Sequence, residues 1–474
     1  MRIILLAITF SIATVSLPSC ATGAGHYSAL DYLPQGSRAS VSIRTPDGKN
    51  KLSLNTEQMF PPASTLKLLT ALAAKLELGD SFRFTTRAEL SGDDLILHFS
   101  GDPTLTSDDL HALVRKIKAA GINRIKGDIW LNNSAFTGYE RGVGWPWDIL
   151  GVCYSAPASA ITLDRNCVQA SIYTQDDGST RVFVPEHQPI KVETEAVTVT
   201  KQGQKSKQCD LELITFDSNE YLLSGCLVKR EHPLPLKFAV QETHAYTAAV
   251  IRNLLRKNGI RFSGNIELTN QRKGKLIASH TSEALPTLLD EMLKHSDNLI
   301  ADNLTKTLGA NFYLQPGSFN TGTEAIKQIL LTKAGIDLSH AQLADGSGLS
   351  RNNRITATDM MHVLDYIWKH DNQLHLLAML PKAGESGTLK YRRSMRKAPI
   401  KGHLAAKSGT LYGSYNMAGY SVDASGTPKA LFVQFVTDYY PDKKGAEKKD
   451  DASGTIPPIF QFEQTFYNDV ISYK

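Results

Sequence analysis

Hydrophobic and polar positions near the start of the chain predict a hairpin followed by a buried helix. Residues 39–44 alternate as in a strand, Asp47-Gly48 begins a turn, and residues 51–54 can pair back as a second strand. The apolar run that begins at Ser64 then has helical spacing as far as Leu78-Gly79, where the glycine ends the helix.

Residues 83–240 have mainly strand-like patterning, with polar loops between the strands. One amphipathic helix is predicted among them, at residues 110–117. We interpret this region as a β-rich insertion. The predicted strands are residues 83–90, 95–99, 126–131, 168–173 and 197–200.

Helical spacing returns after residue 240, and two strands and a helix close the chain. A sheet begun by the N-terminal strands and finished by the late ones, with helices on its faces, predicts an α/β (α+β) domain. This domain would comprise residues 25–82 and 241–474, split by the insertion. Its later helices are predicted at 247–257, 285–294, 300–308, 323–334, 358–370 and 459–471, and its late strands at 416–422 and 430–437.

The first 20 residues have the pattern of a secretion signal, with one Arg, a short apolar run and then small residues. We therefore expect an exported, periplasmic protein. The segment Leu17-Pro18-Ser19-Cys20 resembles a lipoprotein signal, in which Cys20 would be lipidated. Cleavage after Ala21 or Ala24 is the alternative, and contact with a membrane is expected only if Cys20 carries lipid.

Composition and charge narrow the function classes. Of the 474 residues, 42% are hydrophobic and 21% charged, which is typical of a folded globular protein. The net charge of +5 comes without a basic stripe interleaved with aromatic residues, so we expect no nucleic-acid binding. A mildly positive protein would still suit work beside an anionic polymer or membrane.

Four cysteines remain once Cys20 is set aside, an even number in an oxidising compartment. Four cysteines allow three pairings. Pairing neighbours gives Cys153 with Cys167 and Cys209 with Cys226, and this is our prediction. A zinc site is disfavoured because the spacings are wide and Cys-x-x-Cys is absent.

Ser64 and Lys67 are the candidate nucleophile and base. They lie three residues apart where the apolar helix begins, so their side chains leave the same face, and Pro61-Pro62 prevents the helix from starting earlier. A lysine in apolar surroundings loses its proton more readily than one in water. Ser-x-x-Lys also occurs at Ser394-Met395-Arg396-Lys397, so an ordinary N-cap serine is the alternative.

Two further motifs could complete such a site. Ser296-Asp297-Asn298, between two predicted helices, offers a hydroxyl to relay a proton and an amide to hold a substrate or a lysine, although a polar helix cap would look the same. Lys407-Ser408-Gly409-Thr410 reads as a strand whose central glycine lets a ligand backbone approach and whose lysine and hydroxyls bind a carboxylate. An exposed edge strand is its alternative.

The three motifs, in this order and on these elements, resemble the signatures of the penicillin-binding protein and serine β-lactamase superfamily. The long β-rich insertion after the Ser64 helix is similar to class C low-molecular-mass penicillin-binding proteins, the D-alanyl-D-alanine carboxypeptidase/endopeptidases of the penicillin-binding protein 4 type. The resemblance implies a catalytic antiparallel sheet flanked by helices, and an insertion forming two extra domains that contain the cysteines. Supporting segments are residues 82–86, 101–105, 144–147, 164–167, 233–236 and 344–351.

The resemblance implies acyl transfer on peptidoglycan peptides, with β-lactam antibiotics as covalent inhibitors and no metal or cofactor. Ser64 would attack the bond between two D-alanines, and Lys67 would take its proton. Ser296 would relay that proton to the leaving amine, and Asn298 would orient the peptide. Residues 407–410 would hold the substrate carboxylate, and the backbone N–H groups of Ser64 and Thr410 would form the oxyanion hole. A homodimer stays open.

In the family, a pocket for a diaminopimelate side chain uses an acidic residue, an Arg and often a Gln. Arg351 matches the Arg, but Tyr412 stands at the Gln position and Ile149 at the acidic one. Asp148 is therefore our candidate for the acidic residue. Two rival functions stay open: a serine β-lactamase, for which Glu385 would be the deacylating carboxylate, and a non-enzymatic penicillin-binding sensor or scaffold.

Overall fold

The computed structural model describes residues 26–441 and 456–473. The predicted signal peptide (1–20) and the lipidation at Cys20 lie outside the described residues. Within the described ranges, no helix is both long and apolar enough to cross a membrane.

Nineteen strands and ten α-helices are found in the described residues, with short 3-10 turns between them. The strands are β1 (Arg38–Arg44), β2 (Asn50–Leu54), β3 (Thr85–Ser91), β4 (Asp94–His98), β5 (Arg124–Ile125), β6 (Ile129–Asn132), β7 (Cys167–Thr174), β8 (Thr180–Phe183), β9 (Lys191–Thr194), β10 (Val197–Val199), β11 (Leu211–Thr215), β12 (Glu220–Val228), β13 (Leu234–Ala239), β14 (Arg261–Phe262), β15 (Ile266–Thr269), β16 (Lys275–Thr281), β17 (Leu404–Leu411), β18 (Ser414–Val422) and β19 (Pro428–Thr437). The helices are α1 (Lys67–Glu77), α2 (Ser107–Ala119), α3 (Lys201–Lys207), α4 (Thr243–Lys257), α5 (Leu285–His295), α6 (Asn298–Tyr313), α7 (Phe319–Ala334), α8 (Ala357–Lys369), α9 (Asp371–Leu374) and α10 (Pro458–Ser472).

The first and last parts of the chain share one antiparallel sheet with the strand order β17-β18-β19-β1-β2. Its central strands bury alternate residues on its two faces. On β19, Val433 and Phe435 face α1 and its helical neighbours, while Phe432 and Val436 face α10. The predicted sheet, begun by the N-terminal strands and finished by the late ones, is confirmed.

Helix α1 lies at the centre of the larger core, among α5, α6, α7 and α8. It is apolar on nearly all sides, as expected for a helix with no solvent face. Leu68, Leu69 and Leu72 are each at most 1% exposed, and burying a leucine contributes about 1.5–3 kcal/mol. This packing fixes the position of Lys67, the first residue of α1.

The insertion begins with a mixed sheet of order β15-β6-β4-β3-β16, covered by α2 and α4. A second unit follows, made of the antiparallel sheet β13-β7-β8 and the sheet β10-β12-β11, with β9 also paired to β12. Tyr221 and Phe238 pack together in its core. The disulfides Cys153–Cys167 and Cys209–Cys226 are present, which confirms the predicted pairing of neighbours.

The domain boundary predicted at residue 240 lies too early in the chain. Helix α4 and strands β14, β15 and β16 follow residue 240, yet β14 pairs with β5, β15 with β6 and β16 with β3. Val250 and Leu255 of α4 pack in the same core as Leu113 and Ile117 of α2. Residues 243–281 therefore belong with the insertion, because their strands pair with strands of the insertion and α4 shares the core of its first sheet.

Candidate active site

Ser64 lies in a 3-10 turn, Ala63–Leu66, that leads directly into α1. It is thus not in the first turn of the α-helix itself. Ala63 has φ of +48°, a conformation in which a residue with a side chain is strained. Gly348 packs so tightly under this turn that a Cβ there would lie 1.8 Å from the carbonyl oxygen of Ala63. The turn is therefore held by its neighbours and presents Ser64 to a cleft.

Gly409, at the centre of the Lys407-Ser408-Gly409-Thr410 strand, has a different role from the predicted one. A Cβ at this position would come within 2.8 Å of the backbone nitrogen of Ser64 and of the carbonyl oxygen of Pro62. The glycine lets strand β17 approach the Ser64 turn, whereas the sequence suggested that it makes room for a ligand. Gly409 thus sets the distance between the Ser64–Lys67 motif and the Lys407-Ser408-Gly409-Thr410 motif.

Lys67 is fully buried, and its ammonium nitrogen has three acceptors. Nζ donates to Ser64 Oγ at 3.1 Å, to Asn298 Oδ1 at 2.6 Å and to the carbonyl oxygen of Ser347 at 2.6 Å. Burial lowers the pKa of Lys67 to about 8. Nearby carboxylates act in the opposite direction and raise this pKa, and Asp302 has the largest effect among them. A lysine with such a pKa is partly neutral near pH 7 to 8 and can accept a proton from Ser64.

The Ser347 carbonyl is a contact that the motif analysis missed. It lies on a loop whose backbone is fixed by two buried aspartates. Asp302 Oδ1 accepts from the N–H groups of Gly346 and Ser347, at 3.0 and 2.9 Å, and Asp345 accepts from the N–H of Gly348 at 2.8 Å. The only sequence signal was the polar, glycine-rich stretch 344–351, because a carbonyl oxygen carries no side-chain signature.

Ser296 and Asn298 lie at the junction of two helices. Ser296 follows α5 with φ of +59°, and Asp297 accepts a hydrogen bond from the N–H of Ile300 as the N-cap of α6. Asn298 is the first residue of α6, and its Nδ2 donates to the carbonyl oxygen of Tyr154 at 2.7 Å. The predicted cap role is thus played by Asp297, which leaves Ser296 and Asn298 to face Lys407 and Lys67.

Lys407 is buried beside Ser296, although β17 is an edge strand of its sheet. Its Nζ donates to Ser296 Oγ at 2.9 Å and to the carbonyl oxygen of Ser408 at 2.7 Å. Burial and then the charge of Lys67 lower its pKa well below the usual value. The Ser408 hydroxyl lies 2.9 Å from that of Thr388, and Thr410 is exposed at the cleft.

The remaining candidates, Asp148 and Arg351, line the same cleft as Ser64, Ser296, Asn298 and Thr410. Among the described residues no ion pair joins Asp148 to Arg351. The guanidinium carbon of Arg351 lies 6.0 Å from the ring centroid of Tyr412. Ile149 and Tyr412 also line the cleft, so both positions at which this chain departs from the resembled pattern face it.

Comparisons with known proteins agree with this arrangement. A sequence model of the D-Ala-D-Ala carboxypeptidase 3 (S13) family matches residues 29–455. The D-alanyl-D-alanine carboxypeptidase DacB of Haemophilus influenzae is 37% identical over 453 residues, covering 93% of this chain and 92% of the relative. A D-alanyl-D-alanine carboxypeptidase of Actinomadura sp. is 30% identical over 413 residues, covering 80% and 74%.

Solved structures show the same relationship. The crystal structure of penicillin binding protein 4 (dacB) from Haemophilus influenzae matches with a TM-score of 0.86 and 37% identity, covering 94% of this chain and 99% of that one. A structure of the same protein complexed with a novel β-lactam matches with a TM-score of 0.81. The similarity therefore extends over the insertion as well as the catalytic sheet.

Proposed function

Since this chain belongs to the D-Ala-D-Ala carboxypeptidase 3 (S13) family, we propose that it is a serine D-Ala-D-Ala carboxypeptidase/endopeptidase acting on peptidoglycan stem peptides through Ser64. One observation carries the assignment of the nucleophile. The buried Nζ of Lys67, with its lowered pKa, lies 3.1 Å from Ser64 Oγ. A serine beside a lysine of this kind is activated as a nucleophile.

In the proposed acylation step, Ser64 Oγ attacks the carbonyl carbon of the bond between two D-alanines. Neutral Lys67 takes the hydroxyl proton, and the N–H groups of Ser64 and Thr410 stabilise the developing oxyanion. The C–N bond breaks as Lys67 gives this proton back through the Ser296 hydroxyl, which relays it to the leaving amine and so keeps its own proton count. Water then attacks the ester and releases the peptide acid, which restores Ser64.

Substrate binding is assigned to the same cleft. Lys407, Ser408 and Thr410 would hold the carboxylate beyond the scissile bond, because a lysine and hydroxyls together suit a carboxylate. Asn298 would have two roles. It would orient the peptide, and it would also orient Lys67. Arg351, with Asp148 as a candidate partner, would bind the side chain of the diamino acid in the stem peptide.

Inhibition and location follow from the same proposal. β-Lactams would acylate Ser64, an inference supported by the β-lactam complex of the Haemophilus influenzae protein. The predicted signal peptide supports action in the periplasm, where peptidoglycan lies. A lipid anchor at Cys20 and a homodimer remain proposals that intact mass and sedimentation measurements can test.

A β-lactamase is the second enzymatic candidate, but the cleft offers it little support. Among the described residues that line the cleft, Asp148 is the acidic one, and Glu385 is not part of the lining. We therefore expect a stable acyl-enzyme with penicillin. Rapid, repeated turnover of a chromogenic cephalosporin would favour the β-lactamase.

The test is labelling with fluorescent penicillin followed by product analysis on muropeptides. We expect stable labelling that is lost in Ser64→Ala and kept in Ser394→Ala, the matched control in the second Ser-x-x-Lys sequence. Free D-alanine would demonstrate carboxypeptidase activity, and conversion of dimers to monomers would demonstrate endopeptidase activity. Labelling that persists in Ser64→Ala would refute the assignment, and a protein that neither labels nor cleaves would be a scaffold.

A further inference from the structure

The positive charge of this chain is concentrated in one short segment. Residues 382–401 contain seven Lys and Arg but one acidic residue, Glu385, so their net charge of +6 exceeds the +5 of the whole chain. Arg392 is partly buried and paired with Glu463. The other six are exposed and are called here the basic surface: Lys382, Lys390, Arg393, Arg396, Lys397 and Lys401.

The basic surface is attached to the strand that carries the Lys407 motif. At the start of its segment, residues 381–383 pair with the first residues of β17, where the N–H of Ala383 donates to the carbonyl of Leu404 and the N–H of Ala406 to that of Pro381. The fold also brings distant parts of the segment together, since Gly384 adjoins both Arg396 and Lys401. The basic surface therefore has a fixed position relative to the active site.

The segment also forms one wall of the cleft. Thr388 contacts Ser408, hydroxyl to hydroxyl, at 2.9 Å. Thr388, Tyr391 and Arg393 all line the cleft that contains Ser64. In the proposed mechanism, Ser408 lies on the side of the scissile bond from which the amine leaves. The basic surface thus begins where the leaving group exits.

In the part of the chain that the structure describes, no ion pair accounts for the concentration of charge. Among residues 26–441 and 456–473, no carboxylate forms an ion pair within 4.0 Å of any of the six cations of the basic surface. Other lysines and arginines of the chain are paired, such as Arg272 with Asp94 at 2.7 Å. Like charges held together repel one another, so a cluster of this kind favours an anionic binding partner.

We propose that the basic surface binds the second stem peptide of a cross-linked substrate, an acidic peptide that extends beyond the scissile bond. This inference rests on the proposed function. When a cross-link is cut, the leaving amine belongs to another stem peptide, which bears several carboxylates. When free D-alanine leaves, it carries a single carboxylate, which Lys407, Ser408 and Thr410 would hold, and no second stem peptide is present. The basic surface therefore favours cleavage of cross-links over removal of terminal D-alanine.

The test compares two triple variants with the same change in net charge. Lys390→Glu/Arg396→Glu/Lys397→Glu reverses half of the basic surface, at positions that do not line the cleft. Lys201→Glu/Lys205→Glu/Lys207→Glu is the matched control on exposed residues of α3 in the insertion. For each, kcat/KM is measured on a purified cross-linked muropeptide dimer and on a short, uncross-linked D-Ala-D-Ala peptide, at low and high salt.

For the first variant we expect kcat/KM on the dimer to fall about tenfold at low salt, with a smaller loss at high salt, because salt screens exposed charges. Its activity on the short peptide and its penicillin labelling should match those of the control. The corresponding Gln variant, which is gentler on folding, should show a smaller loss in the same direction.

Three results would overturn the inference. One is a dimer kcat/KM equal to that of the α3 control. Another is loss of binding to anionic phospholipid vesicles with unchanged dimer cleavage, which would assign the basic surface to a membrane. The third is a wild-type protein that cleaves neither substrate, which would overturn the proposed function and this inference with it.

Discussion

The side-chain nitrogen of Asn298 donates a 2.7 Å hydrogen bond to the backbone carbonyl of Tyr154, so a residue of the insertion holds the Ser-x-Asn motif in place. The oxygen of the same amide accepts from Lys67 Nζ at 2.6 Å. Because the two ends of an amide are rigidly linked, Tyr154 determines which atom Asn298 turns towards the lysine. The insertion is thus part of the support of the catalytic base.

Another residue of the insertion, Arg165, also contacts the Ser296-Asp297-Asn298 motif. This contact leads to the first prediction. Arg165 forms ion pairs with Asp297, the N-cap of α6, and with Glu291 at 3.1 Å. We expect Arg165→Ala to slow acylation by penicillin about three- to tenfold, a barrier increase of about 1 kcal/mol, because α6 carries Asn298. Since Arg165 is 43% exposed, the free energy of unfolding should fall by less than about 1 kcal/mol.

The matched control is Arg181→Ala, which removes an arginine that stacks on Tyr173 in the distal part of the insertion. It should leave acylation unchanged. Stopped-flow labelling and urea unfolding measure the two quantities. Equal acylation rates for the two variants would mean that the Arg165 ion pairs do not position the motif.

The disulfides provide the second prediction. Cys153 adjoins Tyr154, and Cys167 lies two residues after Arg165, so this disulfide ties together both contacts with the Ser-x-Asn motif. The Cys209–Cys226 disulfide is remote from the motif in the fold and closes a loop of similar length, 17 against 14 residues. Removing either should cost about 3 kcal/mol of stability on chain-entropy grounds.

Acylation should distinguish the two disulfides. We expect Cys153→Ser/Cys167→Ser to slow penicillin labelling under conditions where the protein is still folded, and Cys209→Ser/Cys226→Ser to leave the rate unchanged. Circular dichroism checks folding before each rate is measured. A similar slowing in both variants would point to a general loss of stability as the cause.

The sequence predicted the parts of this site that reside in side chains on regular elements. The Ser64–Lys67 spacing was informative because a helical turn, here a 3-10 turn that leads into α1, places both side chains on one face, and Lys407 was informative because it lies on a strand. Neighbouring cysteines were paired correctly because short loops bring them together.

Three other features of the site and the fold could not be predicted from the sequence, each for a physical reason. The Ser347 contact is made by a backbone carbonyl, and the close approach that requires Gly409 joins residues 345 positions apart in the chain. The boundary after residue 240 was wrong because helix α4 has the same amphipathic pattern whichever sheet it covers. The packing of α4 against α2 and the pairing of the strands that follow it assign α4 to the insertion.

The pH dependence of acylation is the third prediction. Burial lowers the pKa of Lys67 to about 8 from 10.5, and only its neutral form accepts a proton. Acylation should therefore be slow at low pH, rise with pH towards 8 and level off above it. Asn298→Asp places a carboxylate where the amide oxygen lies 2.6 Å from Nζ. An opposite charge favours the protonated lysine, so the rise should move to higher pH by about one unit or more.

The control for this shift is Asn320→Asp, which adds the same charge at an exposed position on α7. Penicillin labelling rates between pH 5 and 10 give the profiles. If the midpoint of the rise in labelling rate with pH is unchanged in Asn298→Asp, a group other than Lys67 governs that rise.

Selectivity for the diamino acid side chain is the last prediction. Arg351 lines the cleft with its guanidinium 6.0 Å from the ring of Tyr412, and offers a cation to a carboxylate on that side chain. We expect Arg351→Gln to lower kcat/KM about tenfold for a peptide containing diaminopimelate, and to leave a peptide containing lysine nearly unchanged, because lysine lacks that carboxylate. Arg261→Gln, at an exposed position in the insertion, is the control. An equal loss on both peptides would mean that Arg351 contacts a part of the substrate common to both.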